Sequence, residues 1–394
     1  MTEDPSSPTE DPFSEIRPYS NAEAPEVIRR LAQSRELAET IVLWKYPRLQ
    51  RLAPPLAGAL ARLWLWFVAQ RLSTVEELQN LIAPNLSRMI KKTSRFSASG
   101  MGELDLQKPR VYVGNHRDIV MDPAYANYAL HRSGFRTLAV AIGDNLLSKP
   151  WISDLMRLNR SFIVKRKLQG PRALLAAAKL LSGYIRASVE RNDNPIWIAH
   201  REGRAKDGCD ITEPAVIKML TLARDREESP ETLLSSLNIV PLIISYELDP
   251  CDALKAAELT AGVGYVKSEF EDITSIATGI VGQKGCVHLH FGTPLPPHLS
   301  VAETVAAIDR QMVCHYRLYQ TNIWAWQWLH GKPLPRELQY ETGSVGEADF
   351  RARFEAIPDK HQHWFLTMYA NPVNRVLEAS PLDASPDLVS GNPM

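Results

Sequence analysis

A histidine and two carboxylates stand close together in VYVGNHRDIVMDP, residues 111–123: His116, Asp118 and Asp122. An imidazole held by a nearby carboxylate makes a general base near neutral pH, because the carboxylate fixes the tautomer and stabilises the imidazolium once it forms. Two further stretches carry charge suited to binding an anion. RLNRSFIVKRKLQGPR, residues 157–172, surrounds one apolar run with Arg157, Arg160, Lys165, Arg166, Lys167 and Arg172, and Lys179 lies just beyond. An edge strand guarded by basic residues against pairing has the same composition. PIWIAHREGRAKDG, residues 195–208, ends a strand of Ile196, Trp197 and Ile198 in Arg201, Glu202, Gly203 and Arg204, with Lys206 alongside. Guanidiniums at a strand end suit bidentate recognition of phosphate, and the glycine lets a backbone come close. Any polar loop can show EGR by itself. The weight lies in the order: base, then basic strand, then EGR loop, each at the end of a strand.

These groups need elements to hold them. Val111, Tyr112 and Val113 are β-formers that lead through Gly114 and Asn115 to His116, which reads as strand, turn and helix start. Further strands are predicted at 136–141, 161–164, 195–199, 238–245 and 286–291, with helices at 124–131, 151–158, 171–190 and 213–226. This alternation predicts an α/β fold with a largely parallel central sheet flanked by helices, preceded by a helical N-terminal region. Ligands of such sheets gather at the carboxyl ends of the strands, where His116 falls.

Residues 24–92 are helical in pattern. Within them, 53–72 is strongly apolar and carries Trp64, Trp66 and Phe67, with Arg51, Arg62 and Arg71 interrupting or flanking it. A spanning helix wants about 20 largely uncharged residues, so the run reads either as a helix lying in a membrane interface or as a buried helix of a bundle. Residues 74–92 continue as helix with a kink expected at Pro84. Residues 97–105 read as a turn and mark a boundary. The expected organisation is a disordered acidic leader over 1–23, a helical region over 24–96 that holds the candidate membrane-interface helix, an α/β domain over 97–335, and a helical extension with a frayed tail over 336–394. Residues 299–329 read as helix, though Trp324, Trp326 and Trp328 alternate, which leaves strand or helix, and core or lipid, open.

The 394 residues hold 45 basic and 45 acidic side chains, so no whole-protein field for nucleic acid exists and local clusters must carry any anion binding. Cys209, Cys251, Cys286 and Cys314 are widely spread with no CxxC, which predicts reduced structural thiols in a cytosolic setting. MTEDPSSPTEDPFSE reverses the order of a secretory signal, so no export is expected.

In order, NHRDIVMD, SFIVKR, HREGRAKDG and IVPLIISYE resemble the four blocks of the phospholipid and glycerol acyltransferase family, which includes the 1-acylglycerol-3-phosphate acyltransferases. The resemblance covers roughly residues 81–297. It implies a glycerolphosphate acyltransferase-like fold and a transferase of glycerolipid and phospholipid biosynthesis. His116 would take the proton from a glycerol hydroxyl attacking an acyl thioester, and Asp122 would orient the imidazole. Arg166, Arg201, Glu202, Gly203 and Arg204 would hold the acceptor phosphate. The implied partners are acyl-CoA or acyl carrier protein as cosubstrate, a lysophospholipid acceptor, and the inner face of the membrane, on which a cytoplasmic protein would sit peripherally. No metal and no bound cofactor is implied.

The pattern also departs from the family. Five residues separate His116 from Asp122 where the family has four, and one extra residue turns a helical side chain by about 100°. Asp122 therefore reaches the imidazole only if the turn bulges, and Asp118 is the alternative partner. His200 and Arg201 replace the usual phenylalanine and proline, as in a divergent subfamily.

Two other functions fit parts of the sequence. His288 and His290 share one face of a strand and, with His116, Asp118 and Asp122, could form the metal site of a hydrolase. A non-catalytic membrane-associated module would use the tryptophan-rich helices alone.

Overall fold

The computed structural model describes residues 11–379 apart from 47, 49–51, 106, 148 and 266–270. The expected tail from 380 onward and residues 1–10 of the expected leader lie outside them. The chain divides into two compact units, Met1–Pro84 with Ala139–Tyr184, and Asn85–Leu138 with Ile185–Met394. The described residues form seven strands, mostly in parallel pairs, with helices flanking them and a helical N-terminal region.

The first unit is built on an amphipathic helix, Ala24–Gln33. Its residues Ala24, Val27, Ile28 and Leu31 recur at helical spacing and are buried against Leu37, Ala69, Val75 and Leu158. Ser34 caps the next helix, Arg35–Lys45, by accepting from the Leu37 N–H at 3.2 Å. Residues 11–23 depart from the disorder expected of a leader. Ile16 is buried, its carbonyl accepts from the Ile163 N–H at 2.8 Å, and the Phe13 ring meets Tyr184 at 5.9 Å. Strand β3 (Ala139–Gly143) pairs in parallel with β4 (Ser161–Val164).

The helix Pro54–Ala69 buries its small residues Ala57, Gly58 and Ala69. Leu56, Leu60, Leu63, Trp64 and Phe67, also at helical spacing, are exposed. No helix among the described residues is long and apolar enough to cross a membrane.

The second unit holds β1 (Arg95–Ser99), β2 (Val111–Gly114), β5 (Ile196–Ala199), β6 (Ile239–Tyr246) and β7 (Cys286–Phe291), in the order β1-β7-β6-β2-β5. All pairs are parallel except β6 with β7. β6, IVPLIISY, is buried along its whole length, as a strand covered on both faces must be. β1 replaces the first residues of the turn expected over 97–105. Its polar RFSAS pattern hides a strand at the sheet edge.

The tryptophan run is the helix Gln320–His330, and it belongs to the core. Trp326 is buried, and Trp324 and Trp328 pack into a cluster around Phe350, with Trp328 at 5.5 Å and Tyr369 at 5.1 Å from that ring. Tyr369 lies on the helix Asp359–Glu378.

Candidate active site

The extended β2 backbone delivers His116 two residues beyond its last paired residue, Gly114. Gly114 is small for a reason: a Cβ there would lie 2.6 Å from Trp197 Nε1 on the neighbouring strand. The indole of Trp197 packs edge to face with the imidazole at 5.4 Å. Residues 115–120 are not helical, and the helix Met121–Arg132 starts after them, so the extra residue is absorbed in the turn. Asp122, at the first turn of that helix, reaches His116 Nδ1 at 2.8 Å. A carboxylate only accepts, so Nδ1 carries the proton and Nε2 is the basic nitrogen. Nε2 has no hydrogen-bond partner among the described residues, and the side chain is 14% exposed.

Asp122 is itself buried and fully engaged. Its Oδ2 also accepts from the backbone N–H groups of Arg117 at 2.6 Å and Asp118 at 2.9 Å, and its Oδ1 accepts from the Tyr246 hydroxyl at 2.6 Å. Asp118 takes a different place from the one allowed for it in sequence. It makes no hydrogen bond to the imidazole and instead accepts from the N–H groups of Val120 at 3.0 Å and Met121 at 2.9 Å, satisfying the start of the helix. Burial, reinforced by the Asp122 charge, raises its pKa. Lys284, wholly buried and donating to the Gly282 carbonyl at 2.8 Å, is pushed down to about 8 by burial, against the pull of Asp118.

Several residues that sequence reasoning passed over hold this end of the sheet. The Asn115 amide continues the strand pairing by side chain: Oδ1 accepts from Ile244 N at 2.8 Å and Nδ2 donates to Ile244 O at 3.0 Å. The same Nδ2 donates to Asp210 Oδ2 at 2.9 Å. Arg117 is buried and donates to Asp210 at 2.8 Å and to the Gly208 carbonyl at 3.1 Å. Burial opposes its charge, but Asp210 and Tyr316 raise its pKa overall. Lys255 is buried too, donating to the Arg117 carbonyl at 2.7 Å and pairing with Asp249. The only signal in the sequence was adjacency: Asn115 and Arg117 flank the histidine.

The loop after β5 is stitched to the same place. His200 N–H donates to the Gly114 carbonyl and Ala205 N–H to the His116 carbonyl, each at 2.8 Å. Gly203 has φ +72°, in the left-handed region that glycine tolerates best. The charged residues of this loop are used differently. Arg201 donates to the Cys209 carbonyl at 3.3 Å and faces Glu213 at 3.9 Å, Glu202 is exposed with its N–H on Glu213, and Lys206 pairs with Glu258. The half-buried Arg204 guanidinium makes no hydrogen bond or ion pair with any described residue. The structure thus brings together His116, Asp122 and the 200–206 loop.

Arg166 belongs to the other unit, exposed beyond the end of β4, and a Cβ on Gly143 would lie 3.1 Å from its Nε. Much of the basic stretch around it is structural. Arg157 donates to the carbonyls of Arg17 at 2.9 Å and Ser14 at 2.6 Å, Arg160 pairs with Glu76, and Lys165 with Glu15.

The metal site proposed from His288 and His290 does not form. The ring nitrogens of His288 meet Ser97 and Ser99, and His290 Nδ1 meets Ser99, all at 2.8 Å, while His290 stacks on His315 at 4.0 Å. Burial pushes both His288 and His290 down to about 3. Among the described residues no group of His, Cys, Asp or Glu side chains is placed to hold a metal.

Residues 95–210 match the family model described as Acyltransferase. The match runs from the start of β1 through Asp210 and contains His116, Asp122, Arg166 and the 201–204 loop. Among solved structures, the crystal structure of the 1-acyl-sn-glycerophosphate (LPA) acyltransferase PlsC from Thermotoga maritima is similar, with 13% identity, TM-score 0.35, and coverage of 70% of this chain and 95% of that one. No curated protein matches the sequence.

Proposed function

We infer from the acyltransferase-family domain that this chain carries at residues 95–210 that the protein moves a fatty acyl group from an acyl thioester to a hydroxyl of lysophosphatidate or a related glycerol phosphate lipid. The observation that carries the reading is the 2.8 Å contact of His116 Nδ1 with Asp122, which leaves Nε2 as the basic nitrogen, without a partner among the described residues. His116 Nε2 takes the proton of the acceptor hydroxyl as its oxygen attacks the thioester carbonyl. Asp122 stabilises the imidazolium so formed. The tetrahedral oxyanion collapses, the C–S bond breaks, and the imidazolium returns its proton to the leaving thiolate. Acyl-CoA or acyl carrier protein supplies the thioester as cosubstrate.

Arg204, whose guanidinium has no partner among the described residues and which lies on the loop bonded to the His116 carbonyl, is the contact for the acceptor phosphate. The exposed apolar stripe of the helix Pro54–Ala69, with exposed Arg62 on the same helix and Arg71 just beyond it, supports docking of the first unit on an anionic membrane surface. Incubating the purified protein with radiolabelled acyl-CoA or acyl carrier protein and a panel of lyso-lipids tests the reaction. Labelled phosphatidate-type product from the wild type and none from His116→Ala is expected. Equal kcat/KM for phosphorylated and unphosphorylated acceptors would contradict the Arg204 assignment. Flotation with phosphatidylglycerol vesicles, lost in Trp64→Ser/Phe67→Ser, tests the docking.

A further inference from the structure

Asp122 presents two oxygens with unequal duties. Oδ2 faces the imidazole and accepts two backbone N–H groups as well, whereas Oδ1 has one partner among the described residues, the Tyr246 hydroxyl at 2.6 Å. Tyr246 closes β6, a strand 124 residues away in the chain, and it is buried. Burial first, then the charges of Asp122 and Asp118, hold the phenol well above its ordinary pKa, so it stays a donor.

We propose that Tyr246 is a positioning residue that sets how strongly Asp122 holds the His116 imidazolium. The inference rests on the reading of His116 as the base. A hydrogen bond to one carboxylate oxygen draws negative charge toward it, leaving less on the oxygen that faces the imidazole. The bond therefore weakens the stabilisation of the protonated ring, which lowers its basicity and eases the return of the proton to the leaving thiolate. Without the hydroxyl, Oδ1 is a buried acceptor with no donor, and the charge returns to Oδ2.

The other charged or titratable groups around the pair are left in place by this change. On the turn and helix of the base these are Asp118, Arg117 and Tyr125, whose ring meets Tyr246 at 6.1 Å and whose hydroxyl donates to Ser94 at 2.7 Å. From other elements come Lys255, which donates to the Arg117 carbonyl at 2.7 Å, Lys284 and Cys251, which act on Asp118, Asp210, which accepts from Asn115 and Arg117, and Arg204 on the loop bonded to the His116 carbonyl. Trp197, against the ring itself, is neutral.

The test uses the full chain as Tyr246→Phe, with kcat/KM against pH for acyl transfer and, separately, titration of the His116 ring by nuclear magnetic resonance. The acidic limb and the ring titration should both move to higher pH by roughly half to one unit, with acceptor KM within about twofold of wild type. A site-specific fluorotyrosine at 246, a stronger donor of nearly the same shape, should move both to lower pH. It decides the matter alone if Tyr246→Phe does not fold. No movement, or movement of the wrong sign, overturns the proposal. A wild type without acyl transfer would instead overturn the reaction, while the ring titration still judges Tyr246.

Discussion

Two sets of imidazoles lie in the second unit, and their neighbours give them different chemistry. Among the described residues, His116 bonds a carboxylate and keeps one nitrogen unpartnered, whereas His288 bonds the hydroxyls of Ser97 and Ser99, which occupy both of its ring nitrogens. A carboxylate stabilises the charged ring, whereas a hydroxyl can give or take a hydrogen bond with the neutral one. The first arrangement is suited to cycling a proton. The second cross-links β1 to β7 and resists protonation. Histidine content alone therefore separates neither site from scaffold.

The sharpest way to break the contrast is to remove one ring from each set. His116→Ala should cut turnover on the order of 10⁴-fold with little change in thermal stability, while His290→Gln should leave kcat within a few-fold. Equal losses in the two variants would erase the distinction. Next in size, Asp122→Asn keeps the shape but donates where it should accept, and kcat should fall on the order of 10³-fold. Steady-state rates with acceptor at saturation check this.

A smaller effect belongs to Arg204. Because its guanidinium has no partner among the described residues, Arg204→Ala should raise acceptor KM about tenfold and leave the melting temperature unchanged. A lower melting temperature with unchanged KM would make it structural.

The smallest effect is thermodynamic. His288 and His290 are held at about 3 in the folded protein, well below the ordinary 6.5. The unfolded chain then binds more protons between these values. Their contribution to stability is whole above pH 6.5 and drains as pH falls toward 3, by at most about 1.4 kcal/mol per pH unit for each ring. Melting curves should show a shallower loss between pH 6.5 and 5 in His290→Gln than in wild type. Parallel curves would argue against it.

What was legible in the sequence follows the range of the physics involved. The apolar run CVHLHF was read to its observed ends, and IVPLIISY to within a residue, because buried strands announce themselves by composition. His116 and Asp122 were legible because they are local. Choosing between Asp118 and Asp122 needed the path of the turn, which one inserted residue changes. β1 was missed because an edge strand of RFSAS carries no apolar signal, and the helices Asp252–Ala261 and Glu271–Val281 were not drawn. Tyr246 stood in plain view within the fourth block, yet its role depends on a contact that only folding makes. Of the basic residues around β4, Arg157, Arg160 and Lys165 looked like anion binders and serve as ties.

The hydrogen bond from Ala205 to the His116 carbonyl has a bearing on how this protein could diverge. The loop that would choose the acceptor and the residue that would deprotonate it share one backbone link, with Asp210 and Asn115 bracing it. Grafting a foreign loop onto this scaffold to retarget it would tug on the base. Descendants with new acceptors should therefore change side chains at 201–204 and preserve the length and path of the main chain beneath them.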